Sequence, residues 1–126
     1  MSLPIATLVL GQEPLPARRL LDAGVRVAVA TDLNPGSAPS NSLGLALWLA
    51  CTRQRMTPAE ALRGATADAA RALCLSDGTG SLAPGAPADV ALVDAPSLDV
   101  WLATWRAEPV ARTVVAGETV WEAADG

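Results

Sequence analysis

An apolar run at residues 25–30, Val-Arg-Val-Ala-Val-Ala, constrains the fold of this chain more than any other feature. The run begins directly after Gly24 and gives way to the turn-forming sequence Asp-Leu-Asn-Pro-Gly at residues 32–36. A short, Val-rich run between turn residues is typical of a buried β-strand. The sequence therefore predicts a strand that ends just before Asp32.

The residues before this strand predict the rest of a strand–helix–strand unit. Residues 4–10 form an apolar run that ends at Gly11, which indicates another strand. Residues 14–23 carry leucines on either side of an arginine pair and are followed by Gly24, as in a helix with a glycine C-cap. Because strands joined through a helix by short connections run parallel, we expect a parallel sheet.

Two further helices are predicted after the turn. Ser42 is placed to cap a helix at residues 43–53, which is apolar on most of its circumference and should be buried on most sides. The sequence Thr-Pro-Ala-Glu at residues 57–60 combines a capping box with proline at the first helical position. It predicts the start of a helix that runs to about Leu73.

The composition changes at the turn-rich cluster Ser76–Gly80, after which the chain is mainly predicted as β-structure. The predicted elements are two strands, a short helix and a final hairpin with its turn at Gly117, at residues 80–82, 88–94, 97–106, 112–115 and 119–121. We therefore predict two domains, an α/β domain at residues 4–77 and a small β domain at residues 78–126.

The composition excludes several kinds of partner. The chain has no histidine, its nine basic residues are all scattered arginines, and its net charge is −4, so nothing indicates a nucleic-acid partner. The longest apolar run, Leu43–Cys51, is shorter than the roughly 20 residues that cross a bilayer. Nothing basic precedes the first apolar stretch, as it would in a secretory signal peptide. We expect a cytoplasmic protein with no membrane partner, in which Cys51 and Cys74 are buried thiols.

Asp32 is the residue with the clearest chemical potential. In barrels of alternating strands and helices, catalytic side chains project from the carboxyl ends of the strands, which is where Asp32 is predicted to lie. An aspartate before Asn-Pro-Gly is, on its own, more often a turn former. The local pattern therefore leaves a catalytic role and a structural role both open.

Several motifs together resemble a known family. They are Thr-Asp-x-Asn-Pro-Gly-Ser at residues 31–37, Cys-Thr-Arg at 51–53, Met-Thr-Pro-x-Glu-Ala-Leu at 56–62 and Ala-Ala-Arg-Ala-Leu at 69–73. This succession resembles the C-terminal part of the imidazolonepropionases, which are metal-dependent amidohydrolases of histidine degradation. The motifs after residue 80 resemble the tail shared across that superfamily. The implied fold is α/β, the C-terminal portion of a (β/α)8 amidohydrolase barrel followed by part of a small β-sandwich domain.

The resemblance also implies an activity, the hydrolysis of 4-imidazolone-5-propanoate to N-formimidoyl-L-glutamate by a metal-bound water. Asp32 would contact the metal. It would also act as the general base that accepts the proton of that water, which requires it to lie within hydrogen-bond reach of the water. Asn34, Gly36 and Ser37 would hold the small-molecule substrate. The cofactor implied for the full-length enzyme is zinc or iron, but the family's other ligands are histidines, which this chain lacks. We therefore expect the chain alone to bind no metal and to be inactive.

Two alternatives stay open. The first is a related deaminase or another cyclic amidohydrolase that shares the tail, and the second is a truncated, non-catalytic association domain. Two strands of a closed barrel leave unpaired edges, and an apolar helix without its neighbours exposes a face. We therefore expect the chain to associate with itself or with the missing N-terminal part of the enzyme.

Overall fold

The fold is described from a computed structural model, and the residues described are 1–104 and 109–124. Within these ranges the chain is a mixed α/β structure. Its elements, in chain order, are α1 (Pro4–Val9), α2 (Ala17–Asp22), α3 (Leu43–Gln54), α4 (Pro58–Ala65), α5 (Ala67–Ala72), β1 (Val90–Val93), α6 (Leu98–Ala103), β2 (Val110–Val115) and β3 (Glu118–Glu122). No helix among the described residues is long and apolar enough to cross a bilayer.

The predicted parallel pairing is present, but its first strand lies earlier in the chain than expected. Ser2 pairs in parallel with Val29, and the backbone N–H of Ser2 donates to the carbonyl of Ala28 at 2.6 Å. The prediction of a strand at residues 4–10 is wrong, since α1 begins at Pro4. The N–H groups in the first turn of a helix have no partner within the helix. Proline has no N–H and therefore loses nothing at this position, so it favours a helix start. Residues 25–30 are not a full strand either, and their pairing is the single bridge at Val29.

Helices α3 and α4 begin where the sequence predicts. The hydroxyl oxygen of Ser42 accepts a hydrogen bond from the N–H of Leu45 at 3.2 Å, which caps α3. The capping box of Thr57 and Glu60 is complete at the start of α4. The predicted continuous helix to Leu73 is broken at Thr66, which separates α4 from α5. A Cβ on Gly80 would lie 2.6 Å from the carbonyl carbon of Thr66, so the later turn passes directly against this break.

The C-terminal half forms one antiparallel sheet in the order β1-β2-β3. A two-residue turn, Ala116-Gly117, joins β2 to β3 with φ angles of 51° and 84°, which suits the right-handed twist of a hairpin. The carboxylate of Asp89 accepts a hydrogen bond from the N–H of Ala116 at 2.8 Å and holds this turn. The predicted hairpin is confirmed, whereas residues 80–82 lie outside any strand.

The predicted helix at residues 97–106 corresponds to α6, which the side chain of Ser97 caps. Trp105 and Arg106 lie outside the described residues. Leu102 of α6 is only 6% exposed and packs in the same core cluster as buried residues of α3 and α4. The boundary between residues 77 and 78 stays a prediction.

The buried core is built from aliphatic side chains, many of them alanine, and one methionine. Its cluster consists of Ile5, Ala6, Ala17, Val27, Val29, Ala38, Ala46, Leu47, Leu49, Ala50, Met56, Ala61 and Leu102. The expectation of two buried thiols is wrong in part. Cys51 is half-buried, but Cys74, which follows the end of α5, is exposed.

The segment at residues 25–30 is held in place by the helices behind it. The N–H of Val29 donates to the carbonyl of Gly64 in α4 at 3.0 Å. A Cβ on Gly64 would lie 2.7 Å from the carbonyl oxygen of Val27. The buried carboxylate of Asp68 in α5 forms an ion pair with Arg26 at 3.8 Å. The position of the segment, and of the loop that follows it, therefore depends on how closely α4 approaches.

We predict that Gly64→Ala lowers the free energy of unfolding by about 2 kcal/mol, because the added methyl group would overlap a backbone carbonyl that cannot move aside alone. This loss would exceed the gain of about 1 kcal/mol that alanine brings to a helix interior. Urea unfolding followed by circular dichroism measures the difference. Gly44→Ala in α3 is the matched control, since its Cβ would lie an ordinary 3.5 Å from the Trp101 indole nitrogen. Equal stabilities for the two variants would contradict this packing argument.

Helices α2 and α4 are joined by an ion pair that also forms part of the helix cap. Arg18 donates two hydrogen bonds to the Glu60 carboxylate, at 2.9 and 3.0 Å. The same carboxylate accepts the N–H of Thr57 at 2.8 Å. The Arg18 guanidinium, and then the Thr57 N–H, lower the pKa of Glu60 from 4.5 to about 2.

A carboxylate with a lowered pKa stabilises the fold fully above its unfolded pKa, and the contribution is lost as the pH falls through the folded value. We therefore expect Glu60→Gln to cost about 1 kcal/mol near pH 6, a size typical of helix caps and exposed ion pairs. The difference from the unsubstituted chain should shrink between about pH 4.5 and about pH 2, the interval that the two pKa values span. Urea unfolding across that range measures it, with Glu118→Gln as the control. A difference that is independent of pH would rule out the ion pair as its cause.

Candidate active site

Asp32 lies at the end of the parallel pair, as the sequence predicts. The N–H of Ala30 donates to the carbonyl of Ser2 at 3.1 Å, and Asp32 follows two positions later. The Asp32 side chain is exposed, and its φ of 57° is in the left-handed region. Such a conformation costs energy in a residue other than glycine, and residues of this kind cluster at functional sites. The exposed Asp32 carboxylate accepts one long hydrogen bond, from the side-chain nitrogen of Asn34 at 3.5 Å.

Asn34 organises the loop around Asp32. Its side-chain oxygen accepts hydrogen bonds from the N–H groups of Gly36 at 2.9 Å and Ser37 at 2.8 Å. Its side-chain nitrogen donates to the backbone carbonyl of Asp32 at 2.7 Å and to the Ser37 hydroxyl at 3.0 Å. The backbone of Asn34 also pairs with that of Ala38, which is fully buried. One amide side chain thus fixes Asp32 and Ser37 relative to each other.

Asp32 and Ser37 line a cavity of about 370 Å³. Its other walls come from the start of the chain and from the region around α1, namely Met1, Ser2, Leu3, Ala6, Thr7, Leu10, Gln12, Glu13 and Leu15. This volume is in the range of small-molecule sites. The Thr7 side chain is already bonded to the Leu3 carbonyl at 3.0 Å.

The four predicted site residues fall into two groups. Asp32 and Ser37 line the cavity, whereas Asn34 and Gly36 belong to the same loop but not to the cavity wall. The amide of Asn34 is occupied by bonds within the loop. A direct role of Asn34 and Gly36 in holding a substrate stays a prediction.

Sequence reasoning missed Gln12 and Glu13 as residues of the cavity. A signal for them existed, since loops that follow adjacent parallel strands lie at the same edge of a sheet. The loop after Ser2 and α1 is therefore a neighbour of the loop after Val29. The predicted strand at residues 4–10 also places Gln12 and Glu13 at that edge, so the sequence already carried this signal.

The residues described do not by themselves fit a complete metal centre. Within residues 1–104 and 109–124, no group of three or more His, Cys, Asp or Glu side chains is arranged to hold a metal ion. Zinc sites in proteins use three or four protein ligands. Asp32 would supply one ligand at most from this loop.

Comparison with known proteins supports the family assignment made from the motifs. Residues 2–120 match the Amidohydrolase family. The imidazolonepropionase of Anaeromyxobacter dehalogenans strain 2CP-C is 57% identical over 91 residues, which cover 71% of this chain and 21% of that protein. That of Geobacillus thermodenitrificans is 53% identical over 93 residues, covering 74% and 22%. The chain thus spans about a fifth of the length of the curated relatives that it matches.

Solved structures agree on the fold. A zinc-bound adenosine deaminase from Xanthomonas campestris has a TM-score of 0.82 at 26% identity, covering 92% of this chain and 30% of its own. Guanine deaminase from E. coli has a TM-score of 0.80 at 24% identity, covering 96% and 33%, and this likeness concerns the fold alone. The resemblance to imidazolonepropionases is confirmed by the sequence relatives. Since the family match extends from residue 2 to residue 120, this chain belongs to the Amidohydrolase family.

Proposed function

We propose that this chain is the C-terminal part of an imidazolonepropionase, which hydrolyses 4-imidazolone-5-propanoate to N-formimidoyl-L-glutamate in the cytoplasm. The observation that carries the proposal is the exposed Asp32, which lines the cavity of about 370 Å³ together with Ser37. The identity to imidazolonepropionases, 45–59%, is about twice that to the deaminases of similar fold. In this proposal residues 4–77 are the last strands and helices of the barrel, and the sheet is part of a β-sandwich.

The proposed chemistry uses Asp32 as the proton carrier. Hydrolysis forms a bond from a water oxygen to the ring carbonyl carbon and breaks the bond from that carbon to a ring nitrogen. Asp32 accepts the proton that the water loses and returns it to the departing nitrogen, so the carboxylate ends each cycle ionised. The Ser37 hydroxyl, which donates to the Asn34 side-chain oxygen at 3.2 Å, exchanges that bond for one to a polar group of the substrate. Asn34 contributes by fixing the loop that carries both side chains.

The zinc or iron of this enzyme class would need its remaining ligands from outside this chain, because the residues described form no metal centre. The test must therefore complete the enzyme. A chimera in which this chain replaces the matching region of the Anaeromyxobacter dehalogenans enzyme supplies the rest of the barrel at 57% identity. We expect the chimera, with its metal content verified, to hydrolyse 4-imidazolone-5-propanoate, and the chain alone to give no turnover above a buffer blank. A folded, metal-loaded chimera without this activity would refute the proposal.

A deaminase is the second candidate, favoured by the TM-score of 0.82 with the Xanthomonas campestris adenosine deaminase. The same chimera should therefore also be assayed on adenosine, guanine and 5-methylcytosine. Turnover of one of these without turnover of the imidazolone would favour the deaminase. No turnover of any substrate would favour the non-catalytic association domain.

A further inference from the structure

The loop between α1 and α2, residues 10–16, contributes side chains to the cavity that Asp32 and Ser37 also line. Its path is fixed by the backbone, since Gly11 has a φ of 63° and the N–H of Gln12 donates to the carbonyl of Thr7 at 3.0 Å. The loop places Gln12 and Glu13 at the same cavity as Asp32 and Ser37. Because backbone hydrogen bonds anchor the loop, the side chains of Gln12 and Glu13 are not needed to hold it in place.

The side chains of Gln12 and Glu13 are exposed. In the part of the chain that the structure describes, neither makes a hydrogen bond or an ion pair. By contrast, Glu60 and Asp89 are both engaged in bonds that stabilise the fold. Glu13 is therefore a carboxylate at a cavity with no structural partner, and its acceptor oxygens are available to a ligand.

The charge of the cavity wall indicates what kind of ligand that is. Its two ionisable side chains, Glu13 and Asp32, are both acidic, and no lysine, arginine or histidine side chain lines it. The apolar part of the wall comes from Leu3, Leu10 and Leu15. Such a wall accepts hydrogen bonds from N–H groups and repels carboxylates. A substrate that has both a ring with N–H donors and a carboxylate must present the ring to this wall.

We propose that Glu13 is a specificity-determining residue, which accepts a hydrogen bond from a ring N–H of a small cyclic substrate in the cavity that it shares with Asp32. The identity of the substrate in this inference rests on the proposed function. The polarity of the cavity wall does not, since it follows from the lining residues. The inference also assigns the orientation, in which the ring lies between Glu13 and Asp32 and the carboxylate points away from this chain. The counter-charge for that carboxylate then comes from another part of the enzyme.

The test uses the chimera described above with Glu13→Ala and Glu13→Gln. A hydrogen bond to a charged group is lost in the alanine variant, so we expect KM to rise about tenfold while kcat changes less than about threefold. The glutamine variant keeps a neutral acceptor, so its KM should rise by a smaller factor of about three. Glu118→Gln is the control and should leave both constants unchanged, since this exposed side chain of β3 makes no hydrogen bond or ion pair with another described residue. An unchanged KM in Glu13→Ala, or a fall in kcat alone, would overturn the inference.

A second measurement separates this inference from the proposed function. Hydantoin is a neutral five-membered ring with N–H donors, and calorimetry follows its binding to the same chimera once an assay has shown that the chimera does not open this ring. We expect Glu13→Ala to weaken hydantoin binding about tenfold, and Glu118→Gln to leave it unchanged. If the chimera hydrolyses no substrate, the proposed function fails and this titration alone decides the role of Glu13. Absent hydantoin binding to the unsubstituted chimera, or equal binding in Glu13→Ala, would overturn the inference.

Discussion

Replacing Asp32 by asparagine should lower kcat of the completed enzyme by a factor of about 10² to 10⁴, the usual cost of losing a general base. The amide has nearly the shape of the carboxylate, but it cannot accept the proton that the attacking water loses. We expect KM to change much less, because the cavity wall and the Ser37 hydroxyl remain in place. Steady-state kinetics on 4-imidazolone-5-propanoate measures the effect.

The same substitution should leave the fold nearly unchanged. Asn34 bonds to the backbone carbonyl of Asp32, a contact that does not depend on the side chain at position 32. Asparagine also tolerates the left-handed conformation that the φ of 57° requires. Asp99→Asn, at an exposed aspartate in the first turn of α6, is a matched control and should keep kcat unchanged. Near-normal kcat in Asp32→Asn, at full metal content and an unchanged melting temperature, would remove Asp32 from the mechanism.

Local signals in the sequence predicted those parts of the fold whose cause is itself local. The helix starts at Ser42 and Thr57 depend on side chains that bond to N–H groups three positions later, so a short stretch of sequence specifies them. The two-residue turn at Gly117 is local in the same way. The place of Asp32 could be predicted because the turn residues after it mark where the parallel pairing ends.

The wrong predictions depended on contacts between distant residues. An apolar run such as residues 4–10 is compatible with a strand or with a buried helix. The pairing of Ser2 with the distant Val29 decides between the two, because it places the strand before residue 4. Likewise, nothing local breaks the helix at Thr66, where the distant Gly80 turn lies against the backbone.

The chain alone should not be a compact monomer at low micromolar concentration. We expected this from an exposed face on the helix at residues 43–53, but most of α3 is covered and its Leu47 is fully buried. The exposed apolar surface lies instead at the end of α1, where Leu8, Val9 and Leu10 are each more than half exposed. Contiguous apolar patches of this kind mark association sites.

The sheet provides a second reason for association. Among the described residues, β1 and β3 each pair on one side only, and unpaired strand edges recruit other strands. On β3, Val120 is 60% and Trp121 48% exposed, so an apolar surface accompanies the open edge. We therefore expect dimers or larger species, formed through α1, through the sheet, or through the rest of the enzyme when it is supplied.

Sedimentation velocity distinguishes these surfaces. Leu8→Glu places a charge in the α1 patch, and Val120→Lys places one on β3, a device that natural edge strands use against pairing. Whichever variant shifts the chain toward monomer identifies the surface that associates, and Leu82→Glu, at an 86% exposed leucine outside both surfaces, is the control. Joining the chain to the rest of the enzyme should abolish association through any surface that the barrel covers. A monodisperse monomer with a cooperative thermal transition and no dye-accessible apolar surface would contradict the prediction, because it would mean that these small side chains already close a core of their own.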